Sequence, residues 1–117
     1  TSNAGISYWE NPPADSAAVY NFTITTPDDY VVWTLVYGDD TDHDSFWAQM
    51  NTGSWLKWHL REPYDVWFWD RIMDGLTSSD PVIFTLTSGS NSLTIKPREP
   101  SSRIDRILIT NDMSYTP

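Results

Sequence analysis

The sequence contains no cysteine, so it can form neither a disulfide framework nor a Cys-His catalytic pair. Basic residues are also scarce, because 7 Lys and Arg stand against 16 Asp and Glu and give a net charge of −9. Nucleic-acid phosphates and anionic membranes repel such a chain, so we expect neither as a partner. No apolar run approaches the roughly 20 residues that a membrane-spanning helix needs.

Residues suited to catalysis are few. The chain has two histidines, His43 and His59, and three glutamates, and no Ser-His-Asp grouping is recognisable. Hydrolysis by paired carboxylates needs two carboxyl groups held rigidly in a cleft, which a domain of this size rarely provides. We therefore expect that the protein is not an enzyme.

Tryptophan, in contrast, is abundant, with seven among 117 residues, beside six tyrosines and four phenylalanines. A small core does not easily hide seven indoles, because each also needs a partner for its N–H group. We expect three or four to lie in the core and the rest to form a recognition surface. In the segment VWFWDRI (66–72), strand alternation puts Trp67 and Trp69 on one face and Phe68 on the other.

Short alternating segments separated by turn signals predict an all-β fold, and no stretch carries a sustained helical period. We expect a single-domain antiparallel β-sandwich (jelly roll) that spans residues 1–117. The predicted strands cover residues 18–24, 30–38, 45–50, 55–60, 66–72, 82–87, 92–96 and 103–110. The predicted tight turns are NTGS (51–54) and SGSN (88–91).

Alternation also assigns side chains to faces. In the second strand, the smaller β-branched residues share one face and suit a core: Val32, Thr34 and Val36. The opposite set would form an aromatic outer surface together with Trp47 of the next strand: Trp33, Leu35 and Tyr37. Alternation alone does not decide which of the two sets is buried. Trp58 is predicted to be core.

The last strand carries one charged residue at a predicted core position. Asp105 shares parity with Ile107 and Ile109, so we expect it to face the core. A buried aspartate must be paired or hydrogen-bonded. Arg98 and Arg71 are the candidate partners.

The segment GDDTDHDS (38–45) packs four aspartates and one histidine into one loop. Several carboxylates suit Ca²⁺, but the segment lacks the central glycine and the distal glutamate of an EF-hand. We favour a solvated acidic loop over a metal site. We also expect this loop to line the functional edge of the domain.

In their order and spacing, several segments resemble the β-sandwich carbohydrate-binding modules related to families six and thirty-five, of the kind found beside polysaccharide-degrading enzymes of bacteria. The resemblance covers about residues 5–115 and rests on Trp33, Asp44-Ser45-Phe46, Trp67, Trp69, Arg98-Glu99, Asp105 and Thr110-Asn111-Asp112. The chain departs from the family at Leu35, where an arginine is usual, and it starts too late to include the first strand, which binds a structural calcium ion. We therefore expect no cofactor, with structural calcium as the alternative.

The resemblance implies a secreted bacterial module, monomeric and covalently linked to a catalytic domain, which it holds on a polysaccharide. It places the sugar site in the loops at one tip of the sandwich, where an indole stacks on the sugar ring and charged groups bond its hydroxyls. The candidate binding residues are Trp67, Trp69, Tyr37, Asp40, Asp44, Trp47, Arg98, Glu99 and Arg103.

Two alternatives stay open. Trp67 and Trp69 would instead fill the core if both faces of their strand were buried. The aromatic surface would instead pack on a neighbouring domain if the protein is a structural or adhesion β-sandwich.

Charge is the only feature of the sequence that indicates which kind of glycan is bound. The net charge of −9 disfavours a polyanion such as alginate. Arg61, Arg98 and Arg103 could form a local basic patch, but the aspartates of residues 39–44 lie opposite. We therefore expect a neutral β-linked glycan such as β-glucan, xylan or agarose.

Overall fold

The structure, a computed structural model, describes residues 17–38, 45–60, 65–74, 81–98 and 103–117. Within these ranges it contains eight β-strands and no helix, and therefore no helix that could cross a membrane. The strands are β1 (Ala18–Ile24), β2 (Asp28–Tyr37), β3 (Ser45–Met50), β4 (Leu56–His59), β5 (Phe68–Arg71), β6 (Phe84–Leu86), β7 (Gly89–Pro97) and β8 (Arg103–Thr110). The predicted all-β class is confirmed.

The strands form two antiparallel sheets that pack together as a β-sandwich. In the first sheet the order is β1-β7-β3-β4, and in the second sheet β2 pairs with β5, β6 and β8. β5 and β6 succeed each other along β2, pairing with residues 33–36 and 28–30. Backbone bonds link the two strands, because the Ile72 N–H donates to the Val32 carbonyl and the Val82 N–H donates to the Ile72 carbonyl, both at 3.0 Å. Segments 66–72 and 82–87 thus follow each other along β2.

The core lies between the sheets, where alternation predicted it. On β2 the smaller β-branched residues are fully buried: Val32, Thr34 and Val36. From the first sheet, β3, β4 and β7 contribute six residues to the core cluster, among them its largest side chain, Trp58: Phe46, Ala48, Met50, Trp58, Leu93 and Ile95. Phe68 of β5 packs against this cluster from the second sheet, as its parity predicted.

Asp105 does not face the core, and that prediction is wrong. The pairing of β8 with β2 shifts between Leu35 and Val36, which are opposite Arg106 and Ile104. Asp105 is therefore the extra residue of a β-bulge, and its side chain is 56% exposed. Burial of the Tyr20 phenol on β1 raises its pKa, and the nearby Asp105 carboxylate raises it further.

The predicted turn NTGS forms the β3–β4 hairpin. Asn51 takes a left-handed backbone conformation (φ 53°), which asparagine tolerates, and its side-chain oxygen accepts the Ser92 N–H at 2.8 Å. The second predicted turn, SGSN, is shorter than expected. Residues 89–91 already belong to β7, because they pair with residues 22–24 of β1.

Candidate functional site

Three of the predicted binding residues meet at one end of the second sheet. Tyr37 ends β2, Arg103 begins β8 directly opposite it, and Trp67 precedes Phe68, which pairs with Val36. The Tyr37 and Trp67 ring centroids are 5.6 Å apart, and the Arg103 guanidinium lies 4.9 Å from the Tyr37 centroid. Trp67 and Arg103 thus both contact Tyr37 at this end of the sheet.

Trp67 is 46% exposed, so it does not fill the core. Its ring is held from one side by Tyr37, whose hydroxyl donates to Asp65 Oδ1 at 3.1 Å. Asp65 is itself fixed by its N–H, which donates to the Gly38 carbonyl at 2.9 Å. An exposed indole, a guanidinium and a carboxylate therefore stand side by side on a fixed backbone.

The same face continues along β2 toward its middle. Trp69 lies opposite Leu35 in the β5 register, half-buried on the outer side of the sheet, as its parity predicted. Next to it, the Arg71 guanidinium lies 5.0 Å from the Trp33 ring centroid. The indole N–H of Trp33 is buried with no hydrogen-bond partner among the described residues, so packing under Arg71 holds this ring. We call the whole surface the β2 outer face: Trp33, Leu35, Tyr37, Asp65, Trp67, Trp69, Arg71, Arg103 and Arg106.

The bulge at Asp105 determines which side chains of β8 join this face. In a regular strand, Arg103 and Arg106 would point to opposite sides, because they are three residues apart. The extra residue resets the alternation, so Arg106 lies opposite Leu35 and Arg103 opposite Tyr37. Both arginines consequently border the outward-facing residues of β2, while Ile104 packs on the core.

Trp47 and Arg98 do not belong to this face. β3 and β7 lie in the first sheet, so Trp47 is on the opposite side of the sandwich from Trp33 and Tyr37, and the predicted common aromatic surface is corrected. Trp47 is only 3% exposed, with Lys57 and Arg98 at 5.6 and 5.9 Å from its ring centroid. It therefore offers no open ring face to a sugar.

Arg98 is also buried, at 8% exposure. Its Nη1 donates to Ser45 Oγ at 3.2 Å and to His59 Nε2 at 3.1 Å. A guanidinium only donates, so His59 Nε2 is the acceptor in this contact. Arg98 thus ties together the ends of β7, β3 and β4.

We predict that Arg98→Ala lowers the free energy of unfolding by about 2–3 kcal/mol, because Ser45 and His59 lose a buried donor. Arg103→Ala is the matched control, since it removes the same charge from an exposed position and should cost less than about 1 kcal/mol. Urea unfolding measures both. Equal losses in the two variants would contradict the structural role of Arg98.

Three predicted residues, Asp40, Asp44 and Glu99, lie outside the described residues. Most of the acidic loop lies outside them too, so its part in the functional edge stays a prediction. Within the described ranges, no group of three or more His, Asp or Glu residues is placed to hold a metal ion.

If the acidic loop binds no metal, EDTA should leave the melting temperature unchanged, and millimolar calcium should not raise it. Selective binding of an ion to the folded state would stabilise it, because the ligand shifts the unfolding equilibrium by mass action. Thermal melts in EDTA, calcium and magnesium measure this. A rise of several degrees with calcium alone would establish a calcium site.

No family model, curated protein or solved structure matches this chain. The resemblance to carbohydrate-binding modules therefore stays a hypothesis that rests on the quoted residues. Any function of the β2 outer face has to be argued from the side chains that it presents.

Proposed function

We propose that this protein is a non-catalytic polysaccharide-binding module whose ligand lies on the β2 outer face with one sugar ring on Trp67. The observation that carries the proposal is the exposed Trp67 indole packed beside Tyr37, whose ring lies under Arg103 and whose hydroxyl donates to Asp65. An apolar surface with a few convergent polar groups is the general composition of a small-molecule site.

The chemistry of this corner suits a pyranose. The C–H face of a sugar ring is apolar and covers an indole face, so stacking removes apolar area of both partners from water. At the ring edge, the Arg103 guanidinium supplies donors and the Asp65 carboxylate supplies acceptors for hydroxyls. Each such bond replaces a bond to water and adds little net free energy, so we expect weak binding by a single module.

Weak binding is sufficient for a tethering role. A module attached to a catalytic domain raises the concentration of that domain at the substrate without any new contact. We accordingly propose that the chain works as a monomer in a secreted bacterial protein, linked to an enzyme that degrades the polysaccharide.

Affinity electrophoresis of the purified chain through gels that contain β-glucan, xylan, agarose or alginate tests the proposal. We expect retardation by at least one polysaccharide, with a change in tryptophan fluorescence on adding the soluble form. The same samples should release no reducing ends. Failure to bind across an extended glycan panel would favour the alternative, in which the aromatic face packs on a neighbouring domain.

A further inference from the structure

The β2 outer face carries an unusual share of the positive charge of this chain. Of 7 basic residues in the sequence, Arg71, Arg103 and Arg106 border this one face, although the net charge is −9. Arg71 is paired with Trp33, Arg106 with Leu35 and Arg103 with Tyr37, so the three arginines are opposite successive outward-facing residues of β2. Trp33 and Tyr37 are four residues apart, so Arg71 on β5 and Arg103 on β8 are separated by about 13–14 Å along the direction of β2.

Two of these arginines keep their donors available. Arg71 lies over Trp33 and Arg103 over Tyr37, and neither forms an ion pair with a described residue. Stacking uses the flat side of a guanidinium and leaves the N–H groups at its edge free to bind an anion. The rings also restrict the arginines, which lowers the entropy lost when an anion binds.

Three described carboxylates on or near this face already have partners. Asp65 accepts the Tyr37 hydroxyl, and Asp105 lies 3.5 Å from Arg106 Nε. Asp29, at the far end of β2, accepts the Thr85 hydroxyl at 2.6 Å. No described carboxylate forms an ion pair with Arg71 or Arg103, so both guanidinium groups can pair with an anionic ligand although the chain is acidic.

We propose that the β2 outer face binds an acidic polysaccharide, with carboxylate or sulfate groups of two non-adjacent sugars of one chain paired to Arg71 and Arg103 while Trp67 stacks on a ring. This inference rests on the proposed function and names its ligand class. It differs from the neutral glycan expected from net charge, because local charge and not the chain total governs binding at contact distance. Bidentate pairing to a planar carboxylate or to a sulfate is the geometry that arginine favours.

Matched pairs of polysaccharides test the charge requirement. Polygalacturonate carries carboxylates that its methyl ester lacks, and carrageenan is a sulfated galactan whereas agarose is nearly uncharged. We expect binding to at least one acidic member, little to its neutral counterpart, and weakening with added salt. The two pairs also distinguish carboxylate from sulfate as the recognised group.

Variants then locate the charge. Arg71→Gln and Arg103→Gln should each lower affinity for the acidic polysaccharide about tenfold, and the double variant should also reduce its salt dependence. Lys57→Gln is the matched control, because it removes one positive charge from the other sheet, and it should change affinity less than about twofold. Arg103→Lys, which keeps the charge without the planar fork, should recover only part of the affinity.

The outcomes separate this inference from the proposed function. Equal binding to acidic and neutral members, unchanged in both glutamine variants, would overturn the acidic ligand and leave a polysaccharide-binding module. Binding to no member of any pair or panel would overturn both. Circular dichroism checks that each variant is folded. If Arg71→Gln does not fold, the affinity of Arg103→Gln, a change at an exposed position, still tests the charge requirement.

Discussion

Replacing Trp67 with alanine should weaken polysaccharide binding by about 30-fold or more while the domain stays folded. An aromatic anchor of a binding surface commonly contributes about 2 kcal/mol or more, which corresponds to that factor. The ring is 46% exposed and its main described contact is Tyr37, so its removal should cost stability only about 1 kcal/mol. Affinity electrophoresis and urea unfolding measure the two effects on the same samples.

Phe68→Ala is the internal control, because the adjacent residue points to the other side of the sheet. Phe68 packs on the core cluster, so its truncation should cost about 3 kcal/mol and leave binding per folded molecule unchanged. Phe68→Ala should therefore lose more stability than Trp67→Ala, and Trp67→Ala should lose more binding than Phe68→Ala. A strongly destabilised Trp67→Ala that binds normally when folded would remove Trp67 from the site.

Most of the fold could be predicted because its signals are local. β1 and β8 have the bounds that alternation predicted, and the NTGS hairpin lies where its turn residues put it. On β2, the small β-branched side packs in the core against the larger side chains of the first sheet, and the aromatic side faces out. The exposure of Trp67 and the inward position of Phe68 follow from the same alternation.

The remainder of the site depends on information that alternation lacks. A bulge changes the parity of every residue beyond it, so the bulge at Asp105 hid the shared face of Arg103 and Arg106. Arg71 shares parity with Trp69, and it lies over Trp33 on the outer face and does not pair with Asp105. Trp47 faces outward, as alternation predicted, but β3 belongs to the other sheet. Alternation could not show this, because long-range contacts decide which strands pair with β2 and β3.

The largest loss of stability is expected at Trp58, the largest of the fully buried side chains. Trp58→Ala should lower the free energy of unfolding by about 3–5 kcal/mol, through lost burial and the cavity left behind. That loss approaches the whole stability of many domains of this size. Urea unfolding followed by circular dichroism measures it, with Trp67→Ala as the exposed counterpart.

Trp58→Phe distinguishes the ring from its N–H group. The indole stacks on Phe46 with centroids 5.5 Å apart, and a phenyl ring keeps part of that contact. The indole N–H is buried without a hydrogen-bond partner among the described residues, so its removal recovers a desolvation cost and offsets part of the smaller cavity. We therefore expect a loss of only about 1–2 kcal/mol. A loss as large as that of alanine would mean that the N–H group has an acceptor in the folded protein, which sequence alternation alone could not identify.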